Sequence, residues 1–342
     1  MNFAILIADL RAAFTIEYAK FIRVHFCKKG SCKTQSAGIG WRKYMDYNIN
    51  FPNLHIYMDH VGKTIQIGSF SIAYYGIIIA IGMVAGLLLA CYQAKKTGQN
   101  PDTYFDLAII AIITSLIGAR IYYVAFRWEY YKDNLLSIFN LRQGGIAIYG
   151  AIIAAIITAV IFARVKKIPF FRIADTACLG LILGQVIGRW GNFFNREVFG
   201  GYTDNLFAMQ LPVSAVRAED ITAELWEHTV EIAGVTYIQV HPTFLYESVW
   251  NLILLILMLV FFNKRKFEGE VFLWYLFGYG VGRFWIEAIR TDQLLIPGIE
   301  VPVSMVVAAV FVVAALALDI VIRIRLRGKK EQEEVPPLST TK

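Results

Sequence analysis

Apolar residues fall along this chain in long unbroken runs, not in the alternation of a half-buried strand or the three-and-four spacing of a water-facing helix. A run of about 18 or more apolar residues can cross a bilayer as a helix. The pattern predicts seven such spans, near residues 71–92, 104–126, 145–164, 174–193, 245–262, 270–289 and 302–322. The ten-residue alternating segments of a membrane barrel are missing. The predicted architecture is an all-α integral membrane protein of seven transmembrane helices. One connection, residues 198–243, has room for structure of its own. Residues 217–228 predict a short helix there, and Thr229–Ile232 and Val235–Val240 flank Ala233-Gly234 as a hairpin. This acidic segment reads as a small cap between spans four and five.

Composition supports a membrane protein. Of 342 residues, 57% are hydrophobic and 17% charged, and mean hydropathy is +0.53. Soluble domains are nearer 45–50% apolar. Basic residues then orient the spans, because short cytoplasmic loops carry the excess of Lys and Arg. Lys95 and Lys96, Arg164, Lys166, Lys167 and Arg172, Lys264, Arg265 and Lys266, and the run Arg323, Arg325, Arg327, Lys329 and Lys330 all follow odd-numbered spans. The opposite loops carry fewer: Arg127, Lys132, Arg142, Arg196, Arg217 and Arg290. The C-terminus is thus expected in the cytoplasm and the segment before the first span outside. The charged, Pro-containing tail 326–342 is expected to be disordered.

Residues 1–44 conflict with that topology. They hold Arg11, Lys20, Arg23, Lys28, Lys29, Lys33, Arg42 and Lys43 against Asp9 and Glu17, and such a tail resists crossing a membrane. The expected translation start is Met45, with a seven-span domain over 45–325. Most of the formal charge of +7 belongs to this head, so the basic balance is no sign of a nucleic-acid partner. The cysteines, Cys27, Cys32, Cys91 and Cys178, show no metal spacing.

Polar residues inside or at the ends of the spans carry the candidate chemistry, since an ionisable group at membrane depth needs a partner or a wet cavity. The densest cluster is Gly188-Arg189-Trp190-Gly191-Asn192-Phe193-Phe194-Asn195-Arg196-Glu197. Arg189, Asn192 and Asn195 step by three around one helical face, and Gly188 and Gly191 let a neighbour approach closely. On span six, Tyr279, Arg283, Glu287 and Arg290 share one stripe, leaving one carboxylate facing two guanidiniums. At the start of span five, His241-Pro242-Thr243-Phe244-Leu245-Tyr246-Glu247 offers His241 as an acid or base, or else as a cap that binds the outer loop together with Glu247. Arg120 on span two either joins this pocket or bridges a carboxylate. Tyr75 and Tyr149, near the outer ends of spans one and three, belong to the aromatic belt or face the pocket. All these groups cluster at one leaflet, and an anion such as a lipid phosphate suits gathered guanidiniums. No phosphate loop, zinc motif or serine elbow is present. With no nucleophile of its own, the chain would have to orient two substrates and stabilise a departing anion.

The decapeptide Gly188–Glu197 followed by Gly200 resembles the signature of the bacterial phosphatidylglycerol–prolipoprotein diacylglyceryl transferases. His241-Pro-Thr-Phe-Leu-Tyr-Glu247 and Gly282-Arg283-Phe284-Trp285-Ile286-Glu287 with Arg290 resemble two further blocks of that family. Gly118-Ala119-Arg120 and Tyr74-Tyr75-Gly76 match more weakly. The resemblance spans roughly residues 60–325. It implies an enzyme of the bacterial cell membrane, active toward the outer leaflet. Such an enzyme moves the diacylglyceryl group of phosphatidylglycerol to the lipobox cysteine of a prolipoprotein. It implies no cofactor and no metal. It also implies that Arg189 binds the lipid phosphate and that Arg283 holds the departing phosphate. Asn192, Asn195, Glu197, Tyr279, Glu287 and Arg290 would shape the headgroup site, with Tyr75 and Arg120 as further substrate contacts. One position departs from the family pattern. Where better-studied members have Gly-Gly-x-x-x-His-Gly, this chain has Gly144-Gly145-Ile146-Ala147-Ile148-Tyr149-Gly150. A phenol ionises near ~10 and is a poor base at neutral pH. The base is then Tyr149 within a network, His241 or Glu197, or the substrate thiol ionises unaided beside the arginines, which is the favoured reading. Intramembrane arginines would also suit a transporter or flippase of an anionic amphiphile. The internal repeats and midplane breaks of that class are missing.

Overall fold

The structure is a computed structural model that describes residues 48–67, 70–140 and 144–334. The segment 1–44 and the expected start at Met45 lie outside the described residues. The protein is mostly helical, not all-α. Seven long helices, α1 (Tyr74–Lys96), α2 (Pro101–Phe126), α3 (Ile148–Lys166), α4 (Phe170–Asn195), α5 (Thr243–Phe261), α6 (Glu270–Ala288) and α7 (Val303–Glu334), are joined by short strands and turns. Among the described residues six helices are long and apolar enough to cross a membrane; α6 is not one of them. Its 19 residues include Glu270, Arg283 and Glu287, and those charges dilute the apolar run that α6 was expected to supply. Helix α7 continues to Glu334, so a boundary at 325 is no break in secondary structure.

The correction to an all-α fold is a five-stranded antiparallel sheet in the order β2-β1-β5-β7-β6, built from β1 (Ile49–Phe51), β2 (Ile56–Met58), β5 (Met209–Pro212), β6 (Val230–Ile232) and β7 (Val235–Val240). Strands of three or four residues are too short to show a period, so β1, β2 and β5 escape sequence reading. The turn at Ala233-Gly234 has both residues at positive φ and pairs Ile232 with Val235, as a two-residue hairpin turn of the primed type requires. A separate hairpin, β3 (Thr64–Ile67) with β4 (Phe70–Ala73), runs directly into α1.

The chain divides into two compact units. The first comprises the described residues up to Ala80, Val186–Trp250 and Val281–Ala309. Its core is the apolar face of the sheet, with Ile49, Leu211, Ile238 and Val240 packed on Phe193, Phe199 and Phe244. The second comprises Ile81–Gln185, Asn251–Gly280 and the residues from Val310 onward. It is held by helix contacts that need small residues. A Cβ on Gly118 would lie 2.8 Å from the Gly150 carbonyl oxygen, and Gly86 faces the Gly180 carbonyl as closely. Such close backbones are how helices associate where no hydrophobic force distinguishes protein from lipid. Beside Gly118, Thr114 and Thr158 share a hydroxyl hydrogen bond of 2.8 Å.

Candidate active site

The first unit contains a row of charges alternating in sign, with Glu247 and Glu287 buried and the others partly buried. Glu247, one turn into α5, has a side chain only 3% exposed. Its Oε1 lies 2.5 Å from Arg189 Nη2 on α4, and its Oε2 accepts from Arg283 Nη1 on α6 at 3.3 Å. The first contact is ionic, because no N–H reaches Oε1 with hydrogen-bond geometry. Arg283 Nη2 lies 2.5 Å from Glu287 Oε2 one turn later, and the same oxygen is 3.3 Å from Arg290 Nη1. Arg290 closes the row with a two-pronged bond to Asp292, 2.9 Å from Nε and 2.8 Å from Nη2. Three helices thus bring Arg189 and Arg283 onto the two oxygens of one carboxylate. Their side chains stay 20% and 15% exposed.

The alternation alters the charge balance expected from the span-six stripe. Arg283 and Arg290 leave no surplus over Glu287, because Glu247 and Asp292 complete the pairing. Three guanidiniums face three carboxylates in this row. Asp292 is absent from the sequence reading, and Glu247 enters it as a helix cap, not as a bridge between arginines. The available signal was a lone carboxylate inside an apolar run, which must find a cation.

A second cluster continues along α4. Glu197 Oε1 accepts from Asn192 Nδ2 (3.0 Å) and Asn195 Nδ2 (3.3 Å), and Oε2 accepts from Arg217 at 3.5 Å. Both oxygens are therefore engaged. Lys63 Nζ donates to the Ala215 carbonyl at 2.9 Å. Burial, and then the neighbouring Arg196 guanidinium, hold Lys63 below the ordinary lysine range. Tyr75 packs on Gly191, where an added Cβ would come within 2.7 Å of the ring.

Backbone pairing fixes both ends of the row. Gly200 N–H donates to the His241 carbonyl, His241 N–H to Gly201, and Gly201 N–H to Ile289. A Cβ at Gly200 would lie 2.7 Å from the Ile289 oxygen. His241 is thereby held beside the chain that precedes Arg290. Its Nδ1 lies 3.2 Å from the Tyr246 hydroxyl and 3.4 Å from Asn205 Nδ2, while Asn205 Nδ2 also donates to Tyr246 at 2.9 Å. In a consistent arrangement Tyr246 accepts from Asn205 and donates to Nδ1, which puts the imidazole proton on Nε2. Burial holds the His241 pKa below its ordinary value.

The remaining candidates belong to the second unit. Arg120 donates all five of its N–H groups to carbonyls: Nε to Ile138, Nη1 to Gly144 and Gly145, Nη2 to Ser137 and Asn140, at 2.6–3.3 Å. It ties down the loop before α3 and has no N–H left for a phosphate or a carboxylate. Tyr149 is half-buried in the first turn of α3 and makes no side-chain hydrogen bond among the described residues. Tyr279 stacks on Tyr275 with ring centres 5.7 Å apart.

These features define a class, a polytopic membrane protein in which arginines from three segments are paired with carboxylates at helix ends. Sequence comparison names the family within that class. Residues 63–321 match the prolipoprotein diacylglyceryl transferase family, and the chain belongs to it. It is 44% identical over 272 residues to the phosphatidylglycerol–prolipoprotein diacylglyceryl transferase of Listeria welshimeri, covering 79% of this chain and 92% of that one. It is 41% identical over 250 residues to the enzyme of the same name from Bacillus cytotoxicus (72% and 87%). With that of Clostridium botulinum it shares 42% over 236 residues (69% and 87%).

Proposed function

We propose that this protein transfers the diacylglyceryl group of phosphatidylglycerol to the lipobox cysteine thiol of prolipoproteins. The cysteine sulfur attacks the glycerol carbon that bears the phosphate. A C–S bond forms, the C–O bond breaks with its electron pair going to the phosphate oxygen, and the thiol proton passes to water. The products are a thioether and glycerol 1-phosphate.

The observation that carries the reading is Glu247 bridging Arg189 and Arg283. It sets two guanidiniums side by side at the spacing of one carboxylate, which suits two oxygens of one phosphate. Arg189 holds the phosphodiester in the ground state. Arg283 holds the charge that grows on the departing phosphate, and only such differential binding accelerates the step. Glu197 positions Asn192 and Asn195, and Tyr75 packs the α4 face. Glu197 is held by Asn192, Asn195 and Arg217, and His241 Nδ1 by Tyr246. The thiol ionises unaided, beside Arg189 and Arg283.

Helix α6 is the seventh span despite its charges, because Arg283 and Glu287 face the charge row and Glu270 pairs with Arg323. The N-terminal side lies outside, the C-terminus lies in the cytoplasm, and residues 198–243 cap the site at the outer leaflet. The test is direct. Purified protein, phosphatidylglycerol and a lipobox peptide should yield peptide carrying a diacylglyceryl thioether by mass. Arg283→Ala should lower kcat/KM by about 10²–10³, as removal of one anion-stabilising donor does elsewhere. Unmodified peptide would sink the transferase, and full turnover by Arg283→Ala would remove that residue from its role.

A further inference from the structure

We propose that Leu206 and Phe207, in the loop before β5, insert into the outer membrane interface as a rigid apolar anchor. Both are large, apolar and exposed, Leu206 at 57% and Phe207 at 42%. They lie in no membrane-length helix. Their exposure is built in. Asn205 Oδ1 accepts the Phe207 N–H at 2.9 Å, the Asn205 carbonyl accepts Ala208 N–H and, at 2.7 Å, Asn53 Nδ2, and Gln239 Nε2 donates to the Thr203 carbonyl at 2.8 Å. The loop turns its polar groups inward and its two apolar side chains outward.

The partner follows from what the loop is tied to. Asn205 Nδ2 donates to the Tyr246 hydroxyl, and Tyr246 sits in the first turn of α5, one of the six membrane-length helices. Tyrosines at such helix ends mark the headgroup level. The Tyr246 ring lies 6.2 Å from that of Trp285, which is itself exposed beside Phe284. Leu206 and Phe207 thus extend a girdle of apolar and aromatic side chains beginning on α5 and α6. From Asn205 to Val216 the chain has no charged residue, as lipid contact requires. The anchor also steadies His241, since Asn205 touches both the loop and its ring.

This inference does not depend on the transfer reaction, and a failed peptide assay would leave it standing. The test uses the full chain in phosphatidylglycerol vesicles, with Cys27→Ser, Cys32→Ser and Cys91→Ser, and a nitroxide attached at Leu206→Cys. Phe207→Cys is the second site, and Glu231→Cys on the exposed hairpin is the reference. Lipid insertion makes the labels at 206 and 207 accessible to oxygen and shields them from a water-soluble nickel complex, with the reverse at 231. Nickel accessibility equal to that at 231 would overturn the proposal. So would shielding from both reagents, which means contact with protein.

Discussion

Replacing Glu247 by Gln keeps the shape of the side chain and removes the charge that two arginines share. Arg189 has no other ion-pair partner among the described residues, whereas Arg283 retains Glu287. Breaking a buried pair by neutralising one member costs about 3–5 kcal/mol. The two guanidiniums, now facing each other across a neutral amide, add about 2 kcal/mol of repulsion at an effective dielectric near 20. Against a total stability of about 5–15 kcal/mol, this loss is large. Arg189→Gln is milder, because Glu247 keeps Arg283. The double variant removes the stranded charge, so it should be more stable than Glu247→Gln alone, with a coupling of about 2–3 kcal/mol. The assay is thermal unfolding of the four proteins of this cycle in one detergent–lipid mixture. Additivity within about 0.5 kcal/mol would refute the bridging role of Glu247, whatever its effect on turnover.

Three further outcomes are expected. Tyr149→Phe should transfer lipid to peptide near the parent rate, since among the described residues Tyr149 makes no side-chain hydrogen bond through which to act as a base; complete loss of turnover with intact lipid binding would reverse that assignment. Gly191→Ala should cost about 1–3 kcal/mol through overpacking against Tyr75, whereas Gly76→Ala, with open space around it, should not, and the two melting curves decide. Burial lowers the His241 pKa, so the folded state binds fewer protons. Its stability is unaffected above the unfolded pKa near ~6.5 and is lost as pH falls from there toward the folded value. Thermal midpoints measured between about pH 7.5 and about pH 5.5 should fall less steeply for His241→Gln than for the parent; parallel slopes would contradict the sign.

What could be read from the sequence was whatever is local to one helix. Six spans follow from apolar length alone, and Arg283 and Glu287 pair one turn apart on α6 as spacing requires. The Ala233-Gly234 hairpin follows from its turn residues. Contacts between helices were hidden. Glu247 looked like a helix cap because its two arginine partners lie 58 and 36 positions away in α4 and α6. Arg120 looked like a headgroup ligand because backbone carbonyl acceptors leave no mark on residue identity.

The alternation of charge explains how one helix bundle can keep arginines at membrane depth without substrate. A bare pair of guanidiniums at that depth would carry a penalty of several kcal/mol and would pull α4 and α6 apart. Carboxylates from α5 and α6 and from Asp292 offset this charge while leaving Arg189 and Arg283 an open edge. Buried ion pairs add little net stability over an apolar packing of equal volume, so stability alone does not account for three arginines and three carboxylates here. Their geometry does. Glu247 is a two-oxygen anion lying between two guanidiniums, and on the reading proposed above a lipid phosphate meets arginines that need no reorganisation to bind it. Preorganisation of that kind lowers a barrier instead of merely tightening binding. Glu247→Gln should therefore depress turnover more than lipid affinity, a split in kcat against KM that a purely structural carboxylate would not produce.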